Sequence, residues 1–414
     1  MPRTFKLPHF YHSPVISVVK HARRETDARK RDLSPTLLNF GPVRFKIARH
    51  FGFCYGVENA IEIAYQALAE NPDKRIFLLS EIIHNPRVNE NLRQRGVQFL
   101  MDTAGTQLLP FDILMPEDVV IVPAFGTTLE VEQALKARGV ILTAYNTTCP
   151  FVEKVWRRSE EIGRQDYTVV IHGKRYHEET RATFSHAQAD APVVVVRDLQ
   201  EARALAKVIS GEEDAAFFFE KFADRFSYGF DPTLHLRRIG VVNQTTMLAT
   251  ETEAIADLLR EAVRATYGEA EMSTHFADTK DTLCYATKEN QDATLALIAD
   301  GGDVAVVVGG YNSSNTSHLV ELCQQHLPTY FIRDADELLS AKRIRHLELE
   351  TKQVKTTEHW LFEEAGSVRK TPTDIVLTAG ASCPDVLLDE VLQKIVGWFP
   401  NTRSIEEVLE PYNT

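Results

Sequence analysis

The chain has 414 residues, of which 44% are hydrophobic and 25% are charged. These proportions are ordinary for a globular protein of two or three domains and exclude a disordered chain. No apolar run in the sequence is long enough to cross a bilayer, so we expect no membrane partner. The formal net charge of −12 argues against a nucleic-acid binder, which needs a basic face, but is compatible with a small anionic ligand.

The five cysteines are spread along the chain without a CxxC pair. This usage is unlike the disulfide framework of a secreted protein and indicates a reducing compartment. Residues 1–43 lack the apolar core of a signal peptide and mix basic with acidic side chains, so we interpret them as a surface arm. We expect a cytoplasmic protein, or a plastid protein if the source is a photosynthetic eukaryote. Cleavage of the arm stays open.

Short β-branched runs alternate with amphipathic stretches from residue 45 onward. The runs predict strands at 45–49, 117–122, 140–145, 167–171, 193–196, 239–242, 304–308, 330–332 and 375–378. The stretches between them predict helices at 57–70, 127–138, 150–163, 251–265, 286–299 and 385–397. This alternation is typical of an α/β protein with parallel sheets. Residues 211–236 and 341–371 fit it poorly, and we interpret them as insertions that could serve as lids or subunit contacts.

Three cysteines share one context. Cys54, Cys149 and Cys284 each stand at the start of a predicted helix. There the positive end of the helix dipole lowers the pKa of a thiol and favours the thiolate that metals bind. Their wide spacing is not that of a zinc finger, so buried structural thiols remain the alternative. Cys323 lies inside a predicted helix and is expected in the core.

Polar side chains mark three further helix starts, at residues 243–246, 312–315 and 379–385. Each alone is explained by ordinary helix capping. Together, and without a Walker motif, they predict a phosphate held by neutral donors. His84 and His177 follow strand-like runs, and Glu178 and Glu179 offer a carboxyl that could donate a proton. The residues alone therefore indicate an α/β metal or redox enzyme that acts on an anion.

Eight segments resemble, in order, those of the 4-hydroxy-3-methylbut-2-enyl diphosphate reductases (the IspH/LytB family). They are GFCYGV, EIIHNPRVNENLRQRG, TTCPFVEKVW, HEETRAT, NQTT, DTLCYAT, NSSN and TAGASCPD. The resemblance implies three α/β domains in a trefoil-like arrangement around a central iron–sulfur cluster. The expected boundaries are an arm at 1–43 and domains at 44–148, 149–283 and 284–414.

The chemistry that the resemblance implies is a reductive dehydroxylation. Cys54, Cys149 and Cys284 would bind a 4Fe–4S cluster and leave one iron without a protein ligand, where the substrate hydroxyl oxygen binds. Two electrons and two protons would then remove the hydroxyl as water, giving isopentenyl diphosphate and dimethylallyl diphosphate. This is the last step of the methylerythritol phosphate isoprenoid pathway. A ferredoxin or flavodoxin is the expected electron donor.

The resemblance also implies roles for individual residues. Glu179 would be the proton source, and His177 and Thr245 would contact the substrate and organise the proton network. The implied diphosphate-binding residues are His84, Ser313, Ser314, Asn315 and Ser382.

Some positions depart from the family pattern. Many bacterial members have a His-Gly pair where this chain has Phe125 and Gly126, a departure that resembles the plant and cyanobacterial branch. What replaces that histidine at the diphosphate stays open. Thr246 is expected to be a structural neighbour, and Cys383, beside Ser382, is not a family ligand.

Two other functions remain possible from the sequence. An electron carrier whose cluster binds no substrate would need a fourth protein ligand, and it would leave the polar helix starts without a purpose. The other is a non-enzymatic scaffold with buried thiols or a structural zinc site. The reductase accounts for more of the motifs than either alternative.

Overall fold

The computed structural model describes residues 5–277, 282–362 and 372–413. Parts of three predicted features lie outside the described residues: residues 1–4 of the arm, Asp281 of the DTLCYAT segment and residues 363–371 of the second insertion. The described helices are α1 (Pro14–Thr26), α2 (Tyr55–Glu70), α3 (Pro86–Gln94), α4 (Leu129–Ala137), α5 (Pro150–Gly163), α6 (Glu178–Ala187), α7 (Leu199–Ser210), α8 (Ala215–Lys221), α9 (Pro232–His235), α10 (Ala249–Tyr267), α11 (Met272–His275), α12 (Tyr285–Ala299), α13 (Ser314–Gln324), α14 (Asp385–Val396) and α15 (Ile405–Leu409).

The strands alternate with these helices along most of the chain. They are β1 (Thr36–Asn39), β2 (Val43–Ile47), β3 (Ile76–Leu78), β4 (Gln98–Phe99), β5 (Val119–Ile121), β6 (Thr168–His172), β7 (Val193–Val196), β8 (Ile239–Asn243), β9 (Val304–Val308), β10 (Thr329–Ile332), β11 (Arg343–Glu348), β12 (Gln353–Glu358) and β13 (Thr373–Ala379). The predicted α/β class is confirmed. In the part of the chain described, no helix is both long and apolar enough to cross a membrane.

The chain divides into two compact units. The first contains residues 1–58, 84–87 and 285–414, and the second contains residues 59–83 and 88–284. The strands form three sheets, one of seven strands in the first unit and two of three strands in the second. The three domain boundaries implied by the resemblance stay a prediction.

The seven-stranded sheet has the order β1-β2-β13-β9-β10-β11-β12. Its centre is parallel, because β13 pairs with both β2 and β9 in parallel register. Every residue of β9 and β13 is buried, which explains why these strands are continuous apolar runs in the sequence. The described part of the second insertion forms the antiparallel hairpin of β11 and β12, which extends the edge of this sheet.

The N-terminal residues are an integral part of the first unit. Ser13 caps α1 and donates a hydrogen bond of 2.8 Å from its hydroxyl to buried Asp389 on α14. Val15, Ile16 and Val19 are buried on the inner face of α1, and β1 pairs antiparallel with β2. The residues predicted as a surface arm therefore contribute a packed helix and a strand.

The second unit has two parallel sheets, with the orders β4-β3-β5 and β7-β6-β8. All residues of β6, β7 and β8 are buried. The first predicted insertion contributes to the core here, because Phe218, Phe222 and Phe230 are buried and the rings of Phe222 and Phe230 stack on that of Phe218. Its packing is that of a core element, and the interpretation as a lid or subunit contact gains no support from it.

The predicted strand at 140–145 is wrong. Those residues form turns, and only a single bridge between Val122 and Asn146 follows them. Val140 and Leu142 are nevertheless buried in a hydrophobic cluster. They are apolar because they pack in the core. The segment therefore has the apolar pattern that is otherwise typical of a buried strand.

Candidate active site

Cys54 lies in a loop of the first unit that rests on the segment before α14. The backbone N–H of Cys54 donates to the carbonyl of Ala381 at 3.2 Å. Gly52 has a φ of +78°, and a Cβ there would lie 2.7 Å from Oδ1 of Asp385. Glycine is therefore required for its backbone conformation and for the close approach of the two segments. The Cys54 thiol is partly exposed.

The predicted diphosphate-binding residues of the first unit form one connected group. The hydroxyl of Ser382 donates to the backbone carbonyl of His84 at 3.0 Å. The side-chain oxygen of Asn315 accepts from the backbone N–H of Ala381 at 2.8 Å. Asn312 places its amide nitrogen 3.1 Å from Nδ1 of His84. The structure thus joins the turn before α13, the segment before α14 and His84.

The start of α13 has the properties of an anion site. Ser313 is its N-cap, and its hydroxyl oxygen accepts from the backbone N–H of Thr316 at 3.2 Å. Ser314 and Asn315 follow, and both are buried. Unpaired N–H groups and the helix dipole at such a start favour negative charge. The backbone reaches His84 closely because residue 310 is glycine, where a Cβ would lie 2.4 Å from the carbonyl oxygen of His84.

Glu179 and Thr245 form a pair in the second unit. Glu179 is 1% exposed. It accepts the backbone N–H of Thr245 at 2.5 Å and the hydroxyl of Thr245 at 3.0 Å. His177 is the N-cap of α6, and its Nδ1 accepts from the backbone N–H of Glu179 at 3.2 Å. Because Nδ1 is the acceptor, a neutral His177 carries its proton on Nε2.

The neighbouring carboxyl has a different environment. Glu178 is also buried, but its carboxylate accepts from the hydroxyl of Ser80. Of the two carboxyls that the sequence offered as proton donors, Glu179 is the one bonded to Thr245. The two carboxyls therefore have different hydrogen-bond partners, and the role of Glu179 as proton source stays a prediction.

Cys149 and Cys284 lie near the same pair. Cys149 is the N-cap of α5, and the backbone N–H of Cys284 donates to the carbonyl of Thr245 at 3.2 Å. Burial raises the pKa of Cys149 to about 11, and the nearby charges of Cys284 and Glu179 act in the same direction. The predicted lowering of the thiol pKa is wrong for Cys149. Desolvation outweighs the backbone N–H groups at the helix start.

The remaining two cysteines, Cys323 and Cys383, lie in the core. None of the five is in a disulfide, and only Cys323 and Cys383 are fully buried. Burial raises the pKa of Cys323 to about 12 and also raises that of Cys383. The predicted core position of Cys323 is confirmed. Within the described ranges, no group of three or more His, Cys, Asp or Glu side chains is arranged to hold a metal ion. The ligand roles of Cys54, Cys149 and Cys284 stay a prediction.

Phe125 contacts a predicted catalytic residue. Its ring lies edge-to-face on the His177 imidazole, with a centroid distance of 5.7 Å and an interplanar angle of 87°. An aromatic ring cannot replace the hydrogen bond of a histidine, but it packs one side of His177 and restricts the orientation of the imidazole.

Two site residues were missed by sequence reasoning. Asn312 contacts His84, and Gln244 connects α6 to the segment that carries Thr245. The Gln244 side-chain oxygen accepts from the Thr180 hydroxyl at 3.0 Å, and its nitrogen donates to the Thr246 hydroxyl at 2.7 Å. Asn312 lies within the NSSN segment and Gln244 within the NQTT segment, and the family resemblance assigned a role to neither amide. Thr246 orients Gln244, as expected of a structural neighbour.

Comparison with known proteins identifies the family. The model of the family described as LytB protein matches residues 45–396. A 4-hydroxy-3-methylbut-2-enyl diphosphate reductase of Thermosynechococcus vestitus is 43% identical over 356 residues, which cover 86% of this chain and 85% of the relative. The protein of the same name from Gloeobacter violaceus is 40% identical over 361 residues, 86% of this chain and 84% of that one.

A solved structure supports the fold. The structure of the E-1-hydroxy-2-methyl-but-2-enyl-4-diphosphate reductase from Plasmodium falciparum superposes with a TM-score of 0.59 at 20% identity, covering 85% of this chain and 87% of that one. At this identity the likeness concerns the fold alone. The family match and the identities to the cyanobacterial relatives show that this chain belongs to the LytB family of 4-hydroxy-3-methylbut-2-enyl diphosphate reductases.

Proposed function

We propose that this chain reduces 4-hydroxy-3-methylbut-2-enyl diphosphate to isopentenyl diphosphate and dimethylallyl diphosphate, the last step of the methylerythritol phosphate pathway. One observation supports this beyond family membership. A buried carboxyl, Glu179, is bonded to Thr245 beside Cys149 and Cys284. A proton donor next to thiols suits a reaction that consumes electrons and protons together.

The residues of the second unit would donate the proton and orient its donor. Thr245 holds the Glu179 carboxyl in one orientation through its N–H and its hydroxyl. In its acid form Glu179 can give a proton to the departing hydroxyl of the substrate, which leaves as water when the C–O bond breaks. A second proton and the electron pair form the new C–H bond. His177, with its proton on Nε2, can donate a further hydrogen bond to the substrate oxygen.

The cysteines fit an iron–sulfur cofactor chemically. Cys54, Cys149 and Cys284 are partly exposed cysteines at helix starts and outside disulfides, whereas Cys323 and Cys383 are buried. Thiolates are the usual protein ligands of such clusters, and a thiol with a raised pKa releases its proton when it binds metal. When bound by these three cysteines, a 4Fe–4S cluster would supply the electrons for the reduction.

The residues of the first unit would bind the diphosphate. The proposed set is His84, Ser313, Ser314, Asn315 and Ser382. With the Asn312 amide nitrogen at Nδ1 of His84, a neutral His84 carries its proton on Nε2 and can donate to a phosphate oxygen. The serines and the start of α13 add neutral donors. We further propose a ferredoxin or flavodoxin as electron donor, as the family resemblance implies. The proposed location is the cytoplasm, or the plastid if the source is a photosynthetic eukaryote.

The test is anaerobic purification followed by turnover. A brown protein with broad absorbance at about 400 nm would support the cluster, and a colourless one would contradict it. Oxidation of a reduced dye that depends on the hydroxymethylbutenyl diphosphate would support the reductase. A brown protein that never oxidises the dye with this substrate would instead support the electron-carrier alternative.

A further inference from the structure

Helix α1 contacts the loop that carries Cys54. We call residues 51–54 the cysteine loop and residues 380–385 the serine turn, since it carries Ser382. The Lys20 ammonium donates to the carbonyl of Phe51 in the cysteine loop at 3.1 Å and to Oδ1 of Asp385 in the serine turn at 2.7 Å. It also lies 4.4 Å from the centroid of the Phe51 ring. One side chain therefore bonds both segments.

The site around Lys20 is closely fitted. The Lys20 and Asp385 side chains are only 30% and 19% exposed. A Cβ on Gly52 would lie 3.0 Å from the Lys20 ammonium nitrogen. A larger residue at position 52 would therefore collide with the ion pair of Lys20 and Asp385. The bonds to a charged donor in a partly buried place are stronger than those between neutral groups, and the aromatic face adds to them.

Other residues of the N-terminal region contact the same loop. The Tyr11 ring lies edge-to-face on Phe53 at a centroid distance of 5.8 Å. The Phe5 ring contacts Tyr55, which directly follows Cys54, at 5.0 Å. Lys20, Tyr11 and Phe5 all precede residue 45, where the match to the LytB family model begins. Residues outside that matched region therefore hold the surroundings of a proposed cluster ligand.

We propose that Lys20 is a positioning residue that fixes the cysteine loop against the serine turn. This inference rests on the proposed function, in which Cys54 binds the cluster and Ser382 binds the diphosphate. By bonding both segments, Lys20 keeps the metal-ligating thiol and the phosphate-binding hydroxyl at a constant separation. Without it, the cysteine loop opens more often, and Cys54 is exposed to solvent for a larger fraction of the time.

The test compares thiol reactivity along the full-length chain. Lys20→Met keeps the aliphatic stem and removes the charge. The protein is purified anaerobically and treated with iodoacetamide, and alkylation of each cysteine is followed by peptide mass spectrometry. Loss of a charged hydrogen bond raises the rate at Cys54 about tenfold. Cys323, buried in α13, keeps its rate and reports any global unfolding.

Two further variants make the result decisive. Arg24→Met removes the same charge from an exposed position on α1 and should leave Cys54 unchanged. Asp385→Asn removes the charge at the other end of the bond and should raise Cys54 reactivity even if Lys20→Met does not fold. The holoprotein of Lys20→Met should also lose its absorbance at about 400 nm faster than the parent in the presence of a chelator.

The outcomes separate this inference from the proposed function. Equal reactivity of Cys54 in the parent, Lys20→Met and Asp385→Asn would overturn the positioning role. A parallel rise at Cys323 would also overturn it, because the effect would then be general destabilisation. A colourless parent protein would contradict the cluster, yet the Cys54 rates would still decide whether Lys20 holds the loop.

Discussion

Replacement of Glu179 by glutamine separates proton donation from folding. The glutamine amide has the shape of the carboxyl but cannot act as an acid. Its oxygen can still accept the Thr245 N–H, and its nitrogen can face the Thr245 hydroxyl, which is able to accept as well as donate. Both positions that the carboxylate oxygens occupy therefore keep a partner.

The magnitudes of the two effects differ for this reason. Exchange of a charged for a neutral acceptor in two retained hydrogen bonds costs about 1–2 kcal/mol of folding free energy. Loss of the general acid lowers turnover by roughly 10²–10⁴-fold, which corresponds to about 3–5 kcal/mol of activation free energy. Turnover should thus fall sharply while iron content and the unfolding midpoint change little.

The assay is anaerobic oxidation of a reduced dye by the substrate, with iron content and thermal unfolding measured on the same preparation. Glu178→Gln is the matched control, because Glu178 is an equally buried neighbour that bonds Ser80. It should show a similar stability change and near-normal turnover. If Glu179→Gln turned over at the parent rate, or if both variants lost activity equally, the assignment of Glu179 as the proton donor would be refuted.

Further changes give distinct expectations. Cys149→Ser should lose the iron and the activity, whereas Cys323→Ser should keep its iron; full iron content in Cys149→Ser, by metal analysis, would contradict the ligand role. Asn312→Ala removes a hydrogen bond to His84 worth about 1 kcal/mol and should raise KM about fivefold with a smaller change in kcat; an unchanged KM would show that Asn312 does not position His84. Burial lowers the pKa of His50 from 6.5 to about 4. The unfolded state binds more protons between these values, so the free energy of unfolding should fall as pH is lowered through this window. His50→Gln should reduce that dependence in urea titrations, and an identical pH profile would contradict it.

Much of the fold was predictable because strands that are buried on both faces consist of apolar residues. Strands such as β7 and β9 are buried along their whole length and therefore appear as unbroken apolar runs. The start of α5 was predictable from Pro150, which is favoured in a first helical turn. The segment 140–145 failed because the same apolar residues also serve core packing in a turn.

The candidate site was predictable where a motif carries it. Glu179 and Thr245 were predicted by resemblance, and the structure places them in contact. The raised pKa of Cys149 was not, because desolvation depends on surroundings that a local helix start does not reveal. The bond of Lys20 to Asp385 joins residues 365 positions apart, and no local pattern indicates such a pairing.

The seven-stranded sheet also sets an order of events during synthesis. Arg44 on β2 is paired with Asp374 on β13, 330 residues later. At a ribosomal rate of about 5–20 residues per second, the interval between the two is roughly 20–60 s. During this interval β2 lacks its parallel neighbour β13, and the Cys54 N–H lacks its acceptor, the carbonyl of Ala381 in the serine turn. If Cys54 binds the proposed cluster, we therefore expect metal insertion there to follow synthesis of the serine turn, and iron bound through Cys54 to nascent chains stalled before residue 380 would show otherwise.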